Sequence, residues 1–147
     1  MKIFLLITIL LTGEKNCNEP GGLPFIKATS QAYSGGAAGS GTGTYYTLYF
    51  KLPQGSDYQF DSLWVDSARL MFSVKQQQPG NDTLVLQAND YRMRRFPNDQ
   101  RNLPEPPAAV SFPISSKAVA IAGYFHNGKR EYFPVESFIK LKPIYYP

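Results

Sequence analysis

Apolar and polar residues alternate along most of this chain after residue 25, and this period of two constrains the fold more than any other feature. The clearest run has one alternating set that is mainly apolar and another that is polar or aromatic: Tyr46, Leu48, Phe50 and Leu52 against Tyr45, Thr47, Tyr49 and Lys51. Successive side chains of a β-strand point to opposite sides of a sheet. The first set is therefore predicted to face a core, and the second to face water, a ligand or a partner.

Short runs of the same type recur along the chain. They cover 25–33, 60–65, 68–74, 83–88, 118–125, 130–135 and 138–141, with a short edge strand predicted at 109–114. Asp66-Ser67 has the spacing of a tight hairpin. Asn127-Gly128 supplies the positive φ angles that a type I′ turn requires.

The composition favours strands joined by turns, since 14% of the residues are aromatic and the chain has 12 Gly and 12 Pro. These features predict an all-β fold, an antiparallel β-sandwich of immunoglobulin-like type, with a small β-barrel as the alternative. Trp64 is predicted to be a core aromatic. The cysteine pair typical of antibody domains is absent, because the chain has a single cysteine.

That cysteine, Cys17, follows an N-terminal segment with one early cation, an apolar run and a short polar spacer. The apolar run is too short for a stable membrane span and suits a secretory leader. We therefore expect a lipoprotein-type signal peptide at 1–16, lipidation of Cys17, a tether at 17–24 and one domain at 25–147. Glu14-Lys15-Asn16 replaces the usual small and aliphatic residues, so cleavage near Thr12-Gly13 remains an alternative, leaving a soluble periplasmic or secreted protein.

Charge and motifs argue against several function classes. The net charge is +4 and the cations are scattered, which does not favour nucleic acid. One histidine, His126, and one cysteine do not make a zinc site. The glycine-rich stretch at 35–43 lacks the Gly-Lys-Ser/Thr of a phosphate loop, and Ser40 within it has no nucleophile-elbow context. The chain is expected to be non-enzymatic, with no metal and no cofactor.

A basic and aromatic cluster lies in the segment 89–107, which is predicted to be one long irregular loop. Its members are Tyr91, Arg92, Arg94, Arg95 and Phe96. Arginine interleaved with aromatics is typical of protein interfaces, where guanidinium groups bind carboxylates or phosphates. The cluster is a candidate partner-binding site, and the alternative is a solvated connection.

Four segments together resemble small outer-membrane lipoproteins of the Bacteroidota with a β-sandwich domain. They are the leader with its Cys17-Asn18-Glu19-Pro20 start and the segments 44–50, 60–66 and 142–147. The resemblance implies a lipid-anchored location at the outer membrane and carries over no catalytic residue.

Two functions are therefore expected for this chain. The first is a non-catalytic envelope lipoprotein that binds another envelope protein, as an accessory subunit of an outer-membrane assembly. The alternative is a glycan- or ligand-binding module at the cell surface, with Tyr45 and Tyr49 as stacking platforms.

Overall fold

A computed structural model describes residues 22–36, 41–53, 55–76, 82–92 and 111–147. The leader at 1–16 and the lipidation candidate Cys17 lie outside the described residues. So do Arg94, Arg95 and Phe96 of the predicted contact cluster, and most of the predicted tether.

Within these ranges the chain forms ten strands. They are β1 (Phe25–Gly35), β2 (Thr42–Lys51), β3 (Tyr58–Val65), β4 (Ala68–Leu70), β5 (Phe72–Gln76), β6 (Thr83–Arg92), β7 (Ala120–His126), β8 (Lys129–Val135), β9 (Ile139–Lys140) and β10 (Ile144–Tyr146). None of the described residues belongs to a helix long and apolar enough to cross a membrane.

The strands form two sheets that pack face to face. The large sheet has the order β10-β1-β2-β6-β5, with β9 also paired to β1, and the small sheet has the order β4-β3-β7-β8. Pairing is antiparallel except where β9 and β10 run parallel to β1. The predicted β-sandwich is confirmed. The orders β1-β2-β6-β5 and β3-β7-β8 follow the A-B-E-D and C-F-G arrangement of immunoglobulin-like domains.

The core between the sheets is built from the apolar set of each strand. Leu48 and Phe50 of β2 are fully buried, which confirms the face predicted from alternation. Aromatic rings join the two sheets, with centroid distances of 5.0 Å between Phe50 and Phe60 and 5.0 Å between Phe25 and Phe133. The core therefore depends on aromatic contacts between the two sheets.

Trp64 is buried, but in a second apolar cluster outside the sandwich core. It packs with Ala118 and Ile121 on the outer side of the small sheet. Its neighbours Leu63 and Val65 face the core, and alternation places Trp64 on the opposite side. Phe112 and Ile114 pack against this cluster, so the segment 111–118 covers that side.

Both predicted hairpin turns are confirmed by positive φ angles. These are 50° and 71° at Asn127 and Gly128, and 46° and 65° at Asp66 and Ser67. The strand predicted at 68–74 is wrong as one element. It divides at Met71, which is 93% exposed, so that β4 pairs with β3 while β5 crosses to the large sheet and pairs with β6.

Three other secondary-structure predictions need correction. Residues 89–92 of the loop predicted at 89–107 belong to a strand, because β6 continues to Arg92 against β2. The described part of the edge strand predicted at 109–114 forms no strand. The strand predicted at 138–141 shortens to β9, and β10 follows it without having been predicted. Both of these short strands are stabilised by pairing with β1.

Candidate functional site

The outward side of the large sheet carries most of the polar aromatic residues that the sequence singled out. We call it the tyrosine face and define it by the alternate residues of four strands that point away from the core. They are Lys27, Thr29, Gln31 and Tyr33 of β1; Gly43, Tyr45, Thr47, Tyr49 and Lys51 of β2; Thr83, Val85, Gln87, Asn89 and Tyr91 of β6; and Ser73 and Lys75 of β5.

Tyrosines are held in fixed positions at one end of this face. The rings of Tyr33 and Tyr45 stack with centroids 4.5 Å apart, and the Tyr33 hydroxyl donates to Asn89 Oδ1 at 2.9 Å. A hydrogen bond with Tyr146, together with partial burial, raises the pKa of Tyr45 above its ordinary value. This hydrogen bond links Tyr45 of β2 to Tyr146 of β10.

Two glycines make room for these rings. A Cβ at Gly43 would overlap the Tyr33 ring, and a Cβ at Gly41 would overlap the Tyr91 ring. In the register of the large sheet, Gly43 lies between Tyr33 and Tyr91. Gly41 and Gly43, at the end of the glycine-rich stretch, therefore let tyrosine rings lie across the backbone.

Two open depressions adjoin each other in the middle of the face and share Tyr45 and Gln87. One has a volume of about 330 Å³, and the other about 320 Å³. The first is lined by Tyr45, Met71, Phe72, Ser73, Gln87, Ala88 and Asn89. The second is lined by Thr29, Gln31, Tyr45, Thr47, Tyr49, Gln87, Leu141 and Ile144.

The segment that joins β9 to β10 forms one wall of the second depression. Gln31 Nε2 donates to the Lys142 carbonyl oxygen at 2.9 Å, and the Leu141 amide donates to the Ser30 carbonyl oxygen at 2.8 Å. These bonds fix Leu141 beside Gln31. The unpredicted pairing of the C-terminal strands therefore shapes the site.

Lysines flank the depressions at the other end of the face. Lys27 Nζ lies 4.9 Å from the centroid of the Tyr49 ring, a cation–π contact. Lys75 Nζ donates to Gln87 Oε1 at 3.1 Å. Each lysine therefore touches a residue that lines a depression.

The predicted partner-binding residues Tyr91 and Arg92 do not share a surface. They are successive residues of β6, so Tyr91 lies on the tyrosine face and Arg92 points to the opposite side of the sheet. Arg92 forms an ion pair with Asp90 at 2.9 Å, and this hydrogen-bonded contact raises the pKa of Arg92. The Arg92 side chain remains 77% exposed.

The small sheet carries a compact charged cluster that connects two strands. The Arg130 guanidinium binds both carboxylate oxygens of Asp61, at 2.5 and 3.1 Å, and also donates to Ser62 Oγ and to the Tyr132 hydroxyl. Partial burial acts to raise the pKa of Asp61, but hydrogen bonds from Ser62 and Arg130 outweigh it, so the pKa lies below its ordinary value. These contacts link β3 to β8 within the small sheet.

His126 ends β7 beside the Asn127-Gly128 turn. His126 stacks on Tyr58 with ring centroids 4.1 Å apart, and its Nε2 lies 3.1 Å from Asn127 Nδ2. Among the residues that the structure describes, no three His, Cys, Asp or Glu side chains are grouped so that they could hold a metal ion.

Comparisons with protein-family models, with curated proteins and with solved structures found no match to this chain. The structure brings the predicted stacking residues Tyr45 and Tyr49 together with Gln31, Gln87 and Asn89, which sequence reasoning missed. The signal that could have found them is the same alternation, because these amides occupy the outward positions of β1 and β6.

Proposed function

We propose that the tyrosine face binds a carbohydrate chain and that the domain is a non-catalytic binding module. One observation carries this proposal: Tyr45 and Tyr49 lie on the same face as the side-chain amides of Gln31 and Gln87, around two adjoining open depressions. The phenol rings and the amides offer two different kinds of contact to one ligand.

Sugars need both kinds of contact. Their C–H faces pack on aromatic rings, whose negative π faces attract the slightly positive hydrogens. Their hydroxyls both donate and accept, and a Gln or Asn amide does the same through its nitrogen and its oxygen. Thr29 and Thr47, which line the second depression, add hydroxyls.

The length of the tyrosine face favours a carbohydrate chain over a single sugar as its ligand. Tyr45 and Tyr49 are four residues apart on one strand, so their Cα atoms are about 13 Å apart. The two depressions meet at Tyr45 and Gln87. A ligand that contacts both depressions must therefore extend beyond one sugar ring.

Titration of the purified domain with a panel of soluble polysaccharides tests this proposal, with intrinsic tyrosine and tryptophan fluorescence and calorimetry as readouts. We expect Tyr49→Ala to weaken binding by roughly tenfold, since a stacked aromatic contributes on the order of 1 kcal/mol beyond its buried area. Gln87→Ala should also weaken binding. Gln59→Ala is the matched control, because Gln59 is exposed on the small sheet.

The melting temperature of each variant shows whether it remains folded. Failure of every polysaccharide to bind would contradict the proposal. Wild-type affinity in a folded Tyr49→Ala variant would contradict it as well.

A second candidate function is contact with another envelope protein, and a different surface favours it. Tyr145, Ser34, Thr42 and Arg92 form one row across four strands, at the end of the large sheet opposite to Lys51. Tyr145 is 79% exposed, and Tyr and Arg are enriched in interface hot spots. Loss of a crosslinked partner from native membranes on combined Tyr145→Ala and Arg92→Ala substitution would support this candidate, while full retention would exclude this row.

A further inference from the structure

We propose that the carbohydrate bound on the tyrosine face is an acidic polysaccharide, a sugar polymer that carries negatively charged groups. This inference rests on the proposed function and adds the chemical class of the ligand. The distribution of charge over the face supports it. This distribution is independent of the aromatic and amide contacts.

Three lysines lie on the face at the end away from the stacked tyrosines. One row of residues paired across four strands contains Lys27, Tyr49, Val85 and Lys75. Lys51 follows Tyr49 by two residues on β2. All three lysines are exposed. Three strand spacings separate Lys27 from Lys75, which places their Cα atoms about 14 Å apart.

Among the described residues of the four strands, no carboxylate lies on the same side of the sheet as these cations. Over the described residues of β1, β2, β5 and β6, the single acidic residue is Asp90. Asp90 occupies an inward-facing position of β6 and forms an ion pair with Arg92. The tyrosine face therefore carries three positive charges and no negative ones, although the whole chain has 15 cationic and 11 acidic residues.

The lysines also touch the residues that are proposed to bind sugar. Lys27 lies over Tyr49, and Lys75 donates to Gln87, so each cation is one contact away from a depression. A polymer that packs on Tyr49 and bonds to Gln87 places its substituents beside both ammonium groups. Because lysine is a compact point charge on a flexible stem, it can follow anionic groups along a chain without fixed geometry.

A pair of polymers with the same sugar backbone but different charge tests this inference: polygalacturonate and its methyl ester. We expect the domain to bind polygalacturonate more tightly, and the difference to shrink as salt rises from low to physiological ionic strength. Lys27→Gln combined with Lys75→Gln should weaken polygalacturonate binding by about tenfold, since two exposed ion pairs are lost, and should change binding of the methyl ester little.

The matched control is Lys117→Gln combined with Lys129→Gln, which removes the same net charge from residues outside the large sheet. It should leave binding of both polymers unchanged. An equal effect of the two double variants would overturn the inference, because it would assign the effect to overall charge.

Two further outcomes separate this inference from the proposed function. Equal affinity for polygalacturonate and its methyl ester, with loss of both on Tyr49→Ala, would overturn the acidic ligand and leave the carbohydrate-binding function standing. Binding to vesicles of anionic lipid through Lys27 and Lys75, with no binding to any polysaccharide of the panel, would overturn both and identify the lysines as a membrane-contact surface.

Discussion

Phe50 lies at the centre of the aromatic contacts that join the two sheets. Its ring centroid is 5.7 Å from that of Phe25 on the large sheet, and 5.0 and 5.7 Å from those of Phe60 and Phe133 on the small sheet. Leu48, two residues away, is fully buried on the same face. Shortening either side chain leaves a cavity that the paired strands can close only in part.

We expect Leu48→Ala and Phe50→Ala each to lower the free energy of unfolding by roughly 2–5 kcal/mol, the range for large-to-small changes in a core. Urea unfolding followed by circular dichroism measures this change. Thr47→Ala is the control, because Thr47 is next to Leu48 in sequence and faces the opposite side of the sheet. Near-neutral effects at both core positions would contradict the packing of the sandwich.

At the scale of elements, the ion pair between Asp61 of β3 and Arg130 of β8 spans the intervening strand β7. Asp61 and Arg130 meet where β7 contributes Gly123, and a Cβ at that position would overlap Ser62. Asp61 also lies at the irregular register between Phe60 and Ser62, which frees its side chain to reach Arg130. The small sheet therefore depends on a charged contact as well as on backbone pairing.

This contact predicts an acid-sensitive contribution to stability. Because the folded-state pKa of Asp61 lies below its ordinary value, the contribution is complete above the unfolded-state pKa of about 4 and is lost as pH falls through the folded-state pKa. Asp61→Asn should lower the free energy of unfolding by about 1 kcal/mol at pH 7, since both side chains are about one-third exposed and water screens the pair.

The difference between wild type and Asp61→Asn should therefore shrink as pH falls below about 4, as measured by urea unfolding across this range. Asp57→Asn offers a comparison, because Asp57 is also exposed and accepts a backbone hydrogen bond from the Asn127 amide. A difference that stays constant down to pH 2 would show that the Asp61 carboxylate is not the source of the effect.

The elements that sequence could predict are those specified by nearby residues. The Asn127-Gly128 hairpin was predictable because the turn itself requires positive φ angles. The division of 68–74 at Met71 was not, because β5 pairs with a distant strand, β6, and not with its neighbour β4. The outward positions of Tyr45 and Tyr49 were predictable from alternation, but the wall at Leu141 depends on pairing with β1.

At the scale of the whole molecule, the proposed anchor and the proposed binding face are close along the chain. Phe25, where β1 begins, is eight positions after Cys17, and a chain of that length spans at most about 29 Å. If Cys17 is lipidated, as we propose, the lysine end of the tyrosine face lies near the membrane, because Lys27 is the third residue of β1.

Cys17→Ser should move the protein from the membrane fraction to the soluble fraction, because each buried methylene of an acyl chain contributes about 0.8 kcal/mol to membrane binding. Fractionation and mass spectrometry of the mature N-terminus measure the change. Asn16→Ser is the control, since it alters the neighbouring residue and keeps the thiol. Unchanged fractionation, together with the absence of a lipid mass, would rule out the anchor.

The parallel pairing of β1 with β9 and β10 also determines when this domain can finish folding. The side-chain bond from Gln31 to Lys142 joins residues 111 positions apart, and contacts of such long sequence separation slow folding because a large loop must close first. During synthesis the outer edge of β1 cannot pair with β9 and β10 until residues 139–146 have been made. Until then β1 exposes backbone hydrogen-bonding groups that can capture another strand, so this edge is where misassembly of the nascent chain would begin.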